Sequence, residues 1–118
     1  MVLDRLMVPS SDQSRSRAFY ERVFGFVTLG QERKAANDPG TTELRAPGAP
    51  LAITLVDPAE GFPLGSVQGA YLDVQDLLTA RRHIEAAQAT IGPILQGSTG
   101  PYFHVNDPDG NGWIIRQI

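Results

Sequence analysis

The stretch Phe103–Trp113 reads FHVNDPDGNGW, and its reading decides the architecture of the chain. Pro108 pre-sets φ at the second position of a turn, the Asp107 side chain suits a bond to the backbone ahead, and Gly110 fits the last position of a type I turn. On either side, Phe103–Val105 and Trp113–Ile115 are apolar and β-prone. The stretch is therefore strand, turn, strand.

Upstream of it, Tyr102–Asn106 and Thr90–Leu95 read as strands, and Trp113–Ile118 is the last one. The glycine-rich Gly97-Ser98-Thr99-Gly100 leads into a strand rather than a helix, so it makes a poor phosphate cradle and is expected as a mobile loop. Earlier still, Ala70–Val74 is strand-like, and Asp76 caps a helix with Leu77, Ala80, Ile84 and Ala87 on one face. The first half of the chain repeats this order. Leu6–Pro9 is a short apolar strand, and Asp12 caps a helix through SRSRAFYERVF, which Gly25 stops. Phe26–Gly30, Thr41–Arg45 and Leu51–Val56 are three further strand-length pieces carrying β-formers. Asp57–Gly65 (DPAEGFPLG) is rich in Pro and Gly and reads as a linker.

The element order is thus βαβββ twice. An offset of 64 aligns Val8 with Leu72 and Tyr20 with Ile84, and the turn Pro47-Gly48 before Leu51 matches Asp109-Gly110 before Trp113. One domain over 1–118 is expected, with a first module at about 1–57, the linker at about 57–65 and a second module at about 66–118.

Composition narrows the function classes. The chain has 118 residues, 42% of them hydrophobic and 19% charged, and a formal net charge of −3. Lys34 is the only lysine and the arginines are scattered, so no concentrated basic face is expected for nucleic acid. No apolar run approaches the roughly 18 residues that span a bilayer. The start MVLDRLMVPSSD lacks the basic and long apolar regions of a secretory signal, and there is no cysteine. A cytoplasmic protein free of nucleic acid and membrane is the expectation. Gly65-Ser66-Val67 is not a nucleophile elbow, because no strand-to-helix turn follows it.

Three segments carry a family likeness: SRAFYERVFGF (16–26), GSVQGAYLDVQDLLTAR (65–81) and FHVNDPDGNGW (103–113). Together they resemble the vicinal-oxygen-chelate superfamily, which includes glyoxalases, extradiol dioxygenases, fosfomycin-resistance enzymes and bleomycin-binding proteins. The resemblance implies an α+β fold of two βαβββ modules with curled mixed sheets around a shared cavity, commonly completed in a homodimer. It also implies four metal-holding positions, seven residues before each helix-capping Asp and just past each turn. Carried onto this sequence, these are Arg5, Gly69, Ala52 and Ile114. Arginine has no lone pair to give, and Gly, Ala and Ile have no donor at all. A one-residue slip would substitute Asp4, Gln68 or Ile53, but a slip also turns side chains to the other face of the sheet. No metal and no cofactor are expected.

Strand alternation then names the cavity lining as Arg5, Met7, Ala52, Thr54, Gly69, Tyr71, Ile114 and Arg116, with His104 close by. Its two guanidiniums suit a carboxylate or another planar anion. A protein carboxylate such as Asp4 or Glu43 is the competing partner. His83 lies off the apolar stripe of its helix and is expected in solvent. His104 and Tyr71 are the candidates for moving a proton. Two functions follow from this lining. One is a metal-independent binder of an anionic or aromatic small molecule or drug. The other is a metal-free or altered-site lyase or isomerase that uses Arg5 and Arg116 to stabilise an anion.

Overall fold

The computed structural model describes residues 4–32 and 40–118. Most of the polar stretch between the second and third strands, and the first three residues, lie outside them. The first module runs β1 (Arg5–Pro9), α1 (Gln13–Phe24), β2 (Val27–Glu32), β3 (Thr41–Arg45) and β4 (Ala52–Val56). The second runs β5 (Gln68–Val74), α2 (Leu77–Ala86), β6 (Thr90–Ile91), β7 (Leu95–Gly97), β8 (Gly100–Asn106) and β9 (Gly112–Gln117). Each module places its first strand parallel to its last. The sheet orders are β1-β4-β3-β2 and β5-β9-β8-β6, with β7 also paired to β8, and neither sheet closes into a barrel.

Both helices start at the expected caps, and α1 stops at Gly25; α2 ends at Ala86, so Ala87 of the expected stripe is its C-cap. Asp12 accepts a hydrogen bond from the Arg15 N–H, and Asp76 accepts one from the Thr79 N–H. That bond holds the exposed Asp76 carboxyl below its ordinary pKa. Gly25 ends α1 at φ 71°, the left-handed conformation that glycine enters without Cβ crowding. Thr90–Leu95 is not one strand. It breaks into β6 and β7 around Gly92-Pro93, because Pro93 has no N–H for the ladder and restricts the residue before it. Nor is Gly97–Gly100 a free loop. Its two glycines pair with each other and close a two-residue hairpin between β7 and β8.

One buried cluster joins the modules. Val8, Phe19, Tyr20 and Val23 share it with Leu44, Ile53, Leu55, Leu77, Ile84, Phe103, Trp113 and Ile115. Alternation explains the sorting: Leu6 and Val8 face the helices on β1, Ile53 and Leu55 on β4, and Trp113 and Ile115 on β9. The repeat-matched pairs Val8 with Leu72 and Tyr20 with Ile84 all belong to this core or pack against it. The aromatic centre is dense, with the Tyr20 and Trp113 rings 5.7 Å apart and edge-on, and Phe24 and Phe26 against both.

The Asp107–Asn111 turn fastens this core from outside. The Gly110 N–H closes the turn on the Asp107 carbonyl at 3.1 Å. One Asp107 carboxylate oxygen accepts from the Asp109 and Asn111 N–H groups, and the other accepts from the Asn111 amide and, at 2.6 Å, from the Tyr20 hydroxyl. That hydroxyl accepts in turn from the Trp113 indole at 3.0 Å. Asn111, fully buried, also donates to the Pro9 carbonyl of β1 and accepts from the Val67 N–H before β5. Asp109 takes bonds from Ser11 and Arg15 at the start of α1. The turn of the second module thus holds the first strand and first helix of the first.

Candidate functional site: the open sheet faces

The face of each sheet turned away from the helices carries the positions named from sequence. In sheet one, β1 and β4 run in register with Arg5 beside Ala52 and Met7 beside Thr54, while Glu43 of β3 lies across from Thr54. In sheet two, Ile114 lies between Tyr71 and His104, and Arg116 lies between Asp73 and Tyr102. Met7 and Tyr71 are each 54% exposed, so this surface is largely open at both residues. Ala52, by contrast, is buried. The hollow expected between the sheets is open in the single chain, as clefts rather than an enclosed chamber. One, of about 440 Å³, runs over Arg5, Glu43 and Thr54 to the exposed end of β2. Another, of about 320 Å³, lies between β1 and β5, from Arg5 and Leu6 to Gly69 and Tyr71.

Two positions behave differently from their sequence assignment. Gly69 has no partner in β9. The pairing steps from Gln68–Gly112 to Ala70–Trp113, leaving Gly69 at φ 85° in a bulge that glycine tolerates. The bulge gives Gln68 the strand parity of Ile114. Its side-chain amide is spent on the Gly65 and Gly110 carbonyls. His83 is exposed, as expected, but its Nε2 sits 3.1 Å from the Arg22 carbonyl and ties α2 to α1.

The arginines are answered from within. Arg5 pairs with Glu43, one of the two carboxylates expected to compete for it, and that bond raises its pKa above the ordinary value. Arg116 binds both oxygens of Asp73 at 2.9 Å, and its guanidinium lies over the Tyr71 ring at 4.9 Å. The Arg116 hydrogen bond is the first cause of a lowered Asp73 pKa, and the same bond raises that of Arg116. Next to this layered group, the Tyr102 and His104 rings meet edge-on at 5.7 Å. Tyr102 in turn lies over Gly97, where a Cβ would come within 3.0 Å of the ring. Asp73 and Tyr102 were missed as lining residues, although they stand two positions from Tyr71 and His104 and obey the same alternation. Among the described residues, no group of three or more His, Cys, Asp or Glu side chains could hold a metal.

Two open four- and five-stranded sheets built from βαβββ units, with helices on one side and an exposed surface on the other, define an α+β protein of paired modules. The chain belongs to the Glyoxalase/Bleomycin resistance protein/Dioxygenase superfamily, whose family model matches residues 2–115. No curated protein matches the sequence. Solved structures share the fold closely. TnmS3, an antibiotic binding protein from Streptomyces sp. CB03234, superposes with a TM-score of 0.88 at 24% identity, over 99% of this chain and 95% of that one. A superfamily member from Sphaerobacter thermophilus DSM 20745 gives 0.87 at 21% identity, over 100% and 98%. A lactoylglutathione lyase from Agrobacterium tumefaciens gives 0.76 at 16% identity, over 98% and 92%. No helix of the described residues is long and apolar enough to cross a membrane.

Proposed function

We propose that the protein is a metal-independent small-molecule binder that takes a neutral aromatic ligand, drug-like in kind, on the open sheet faces. The carrying observation is the pairing of both guanidiniums, Arg5 with Glu43 and Arg116 with Asp73, beside exposed Met7 and Tyr71. A paired guanidinium held over a phenol ring offers a surface with little net charge. That favours an aromatic ligand over an anionic one. It also speaks against the lyase or isomerase reading, which needs those cations for a developing negative charge. At the family's metal positions Arg5, Ala52 and Ile114 have no ligand atom to give, and the bulge at Gly69 brings only the Gln68 amide to their face, too few donors for a divalent ion. The fold likeness to an antibiotic binding protein agrees with sequestration, which requires affinity alone. A homodimer, in which a second copy covers the open faces, completes this reading.

The test is calorimetric titration with a neutral fused-ring aromatic such as naphthol, with and without EDTA. Saturable binding that survives the chelator, weakens in Tyr71→Ala and returns the probe unchanged after long incubation is expected. Binding or turnover that needs added Zn²⁺, Mn²⁺ or Ni²⁺, seen also as a metal-dependent rise in melting temperature, would overturn it.

A further inference from the structure

A separate cleft of about 320 Å³ lies between α1, the end of α2 and the Asp107–Gly110 turn, and it shares no residue with the clefts over the open sheets. Arg15 and Arg22 stand seven residues apart on α1 with Ala18 between them, so they frame one helical face whose floor is a methyl group. Arg15 is already committed, to the Ser11 hydroxyl at 2.9 Å and to Asp109 at 3.1 Å. The Arg22 guanidinium makes no ion pair or hydrogen bond among the described residues, although its carbonyl holds His83. Asp107 also borders the cleft, but its carboxylate is filled by four internal donors and offers nothing to a cationic ligand.

Gln88 supplies the second, independent observation. It is the only non-glycine residue with a left-handed backbone among the described residues, at φ 61°. It follows α2, where its own N–H bonds the Glu85 carbonyl and the Ala89 N–H bonds Ile84. Glycine fills such a position without cost, whereas a residue with a Cβ gives up about 1 kcal/mol. Exposed Gln88 lines the cleft together with Arg15, Arg22 and the apolar Ala89 and Pro108.

We propose that this cleft is a second ligand site, for a small monocarboxylate with a flat apolar body. The carboxylate takes the planar fork of Arg22, the Gln88 carboxamide donates to it, and the apolar body lies on Ala18, Ala89 and Pro108. A phosphate dianion fits less well, since the charge of Arg15 is already paired with Asp109 and only Arg22 is left without a carboxylate. The volume, at the small end of ligand pockets, suits a single-ring molecule. The proposal is independent of the reading of the open sheets.

The test uses the intact chain and ¹⁵N–¹H spectra with benzoate as probe, benzamide as its neutral counterpart and inorganic phosphate as competitor. Saturable benzoate shifts at Ala18, Gln88 and Ala89 are expected, with none from benzamide. Arg22→Gln is expected to weaken benzoate by about tenfold, the size of one charged hydrogen bond. Gln88→Gly is expected to weaken binding while raising the melting temperature, a split that a purely structural Gln88 would not give. Both residues are exposed, so both variants fold. Equal shifts from benzamide, full competition by equimolar phosphate, or unchanged benzoate affinity in either variant would overturn the proposal.

Discussion

At the scale of single residues, Tyr20 is the side chain on which most of the molecule turns. Its hydroxyl donates to Asp107 and accepts from Trp113, at full burial. Tyr20→Phe keeps the ring packing but leaves a buried carboxylate oxygen and a buried indole N–H each short of a partner. The expected loss is about 1–3 kcal/mol, measured as a lower midpoint in urea unfolding. Burial first, and then the charge and hydrogen bond of Asp107, push the Tyr20 phenol well above its ordinary pKa. A raised folded-state value means that this contribution is whole below the unfolded pKa of about 10 and is lost as pH rises past it. The stability gap between wild type and Tyr20→Phe is therefore expected to narrow above about pH 10, in unfolding curves taken across that range. The sequence announces Tyr20 only as a residue of the first helix that the repeat aligns with Ile84. Its hydrogen bond to a turn 87 residues away is a tertiary fact that local pattern does not carry.

At the scale of elements, caps and periodicity made most of the fold legible. Asp12, Gly25 and Asp76 act through backbone groups within a few residues, so their roles can be read directly. The break at Pro93 is equally local, but Thr90, Ile91, Ile94 and Leu95 around it are residues that strands favour, and they mask it. The bulge at Gly69 was not legible, since a bulge is defined by what the neighbouring strand does. Two glycines separate backbone from side-chain effects. At Gly25 a Cβ would meet nothing within 4 Å, so Gly25→Ala pays only for φ 71° and is expected to cost about 1 kcal/mol in thermal or urea unfolding, with ligand affinity intact. At Gly97 φ lies outside the left-handed region but the Tyr102 ring is in the way. Gly97→Ala is expected to shift that ring and alter aromatic-ligand affinity, while moving the melting temperature little.

At the scale of the whole molecule, the two open faces pose the question of what covers them. Met7, Val27, Leu29, Tyr71 and Leu95 are all well exposed on or beside these sheets. If a second copy covers them, as proposed, sedimentation of wild type is expected to show a dimer that dissociates on dilution, and Met7→Glu a monomer at the same concentration. The candidate site was legible as a set of positions, because alternation along strands is fixed. Its electrostatics were not. Whether Arg116 meets a ligand or a carboxylate depends on which residue of β5 stands beside it, and the register of parallel strands separated by a helix cannot be counted off the sequence. The bond from Asn111 to Pro9 spans 102 residues of chain, and the same turn supplies the partner for Tyr20. During synthesis the ribosome must therefore deliver the second module's turn before the first module can finish packing. Until then Tyr20 and Pro9 lack the hydrogen-bond partners that Asp107 and Asn111 provide, so a chain truncated before the turn is expected to unfold at lower urea than the whole one.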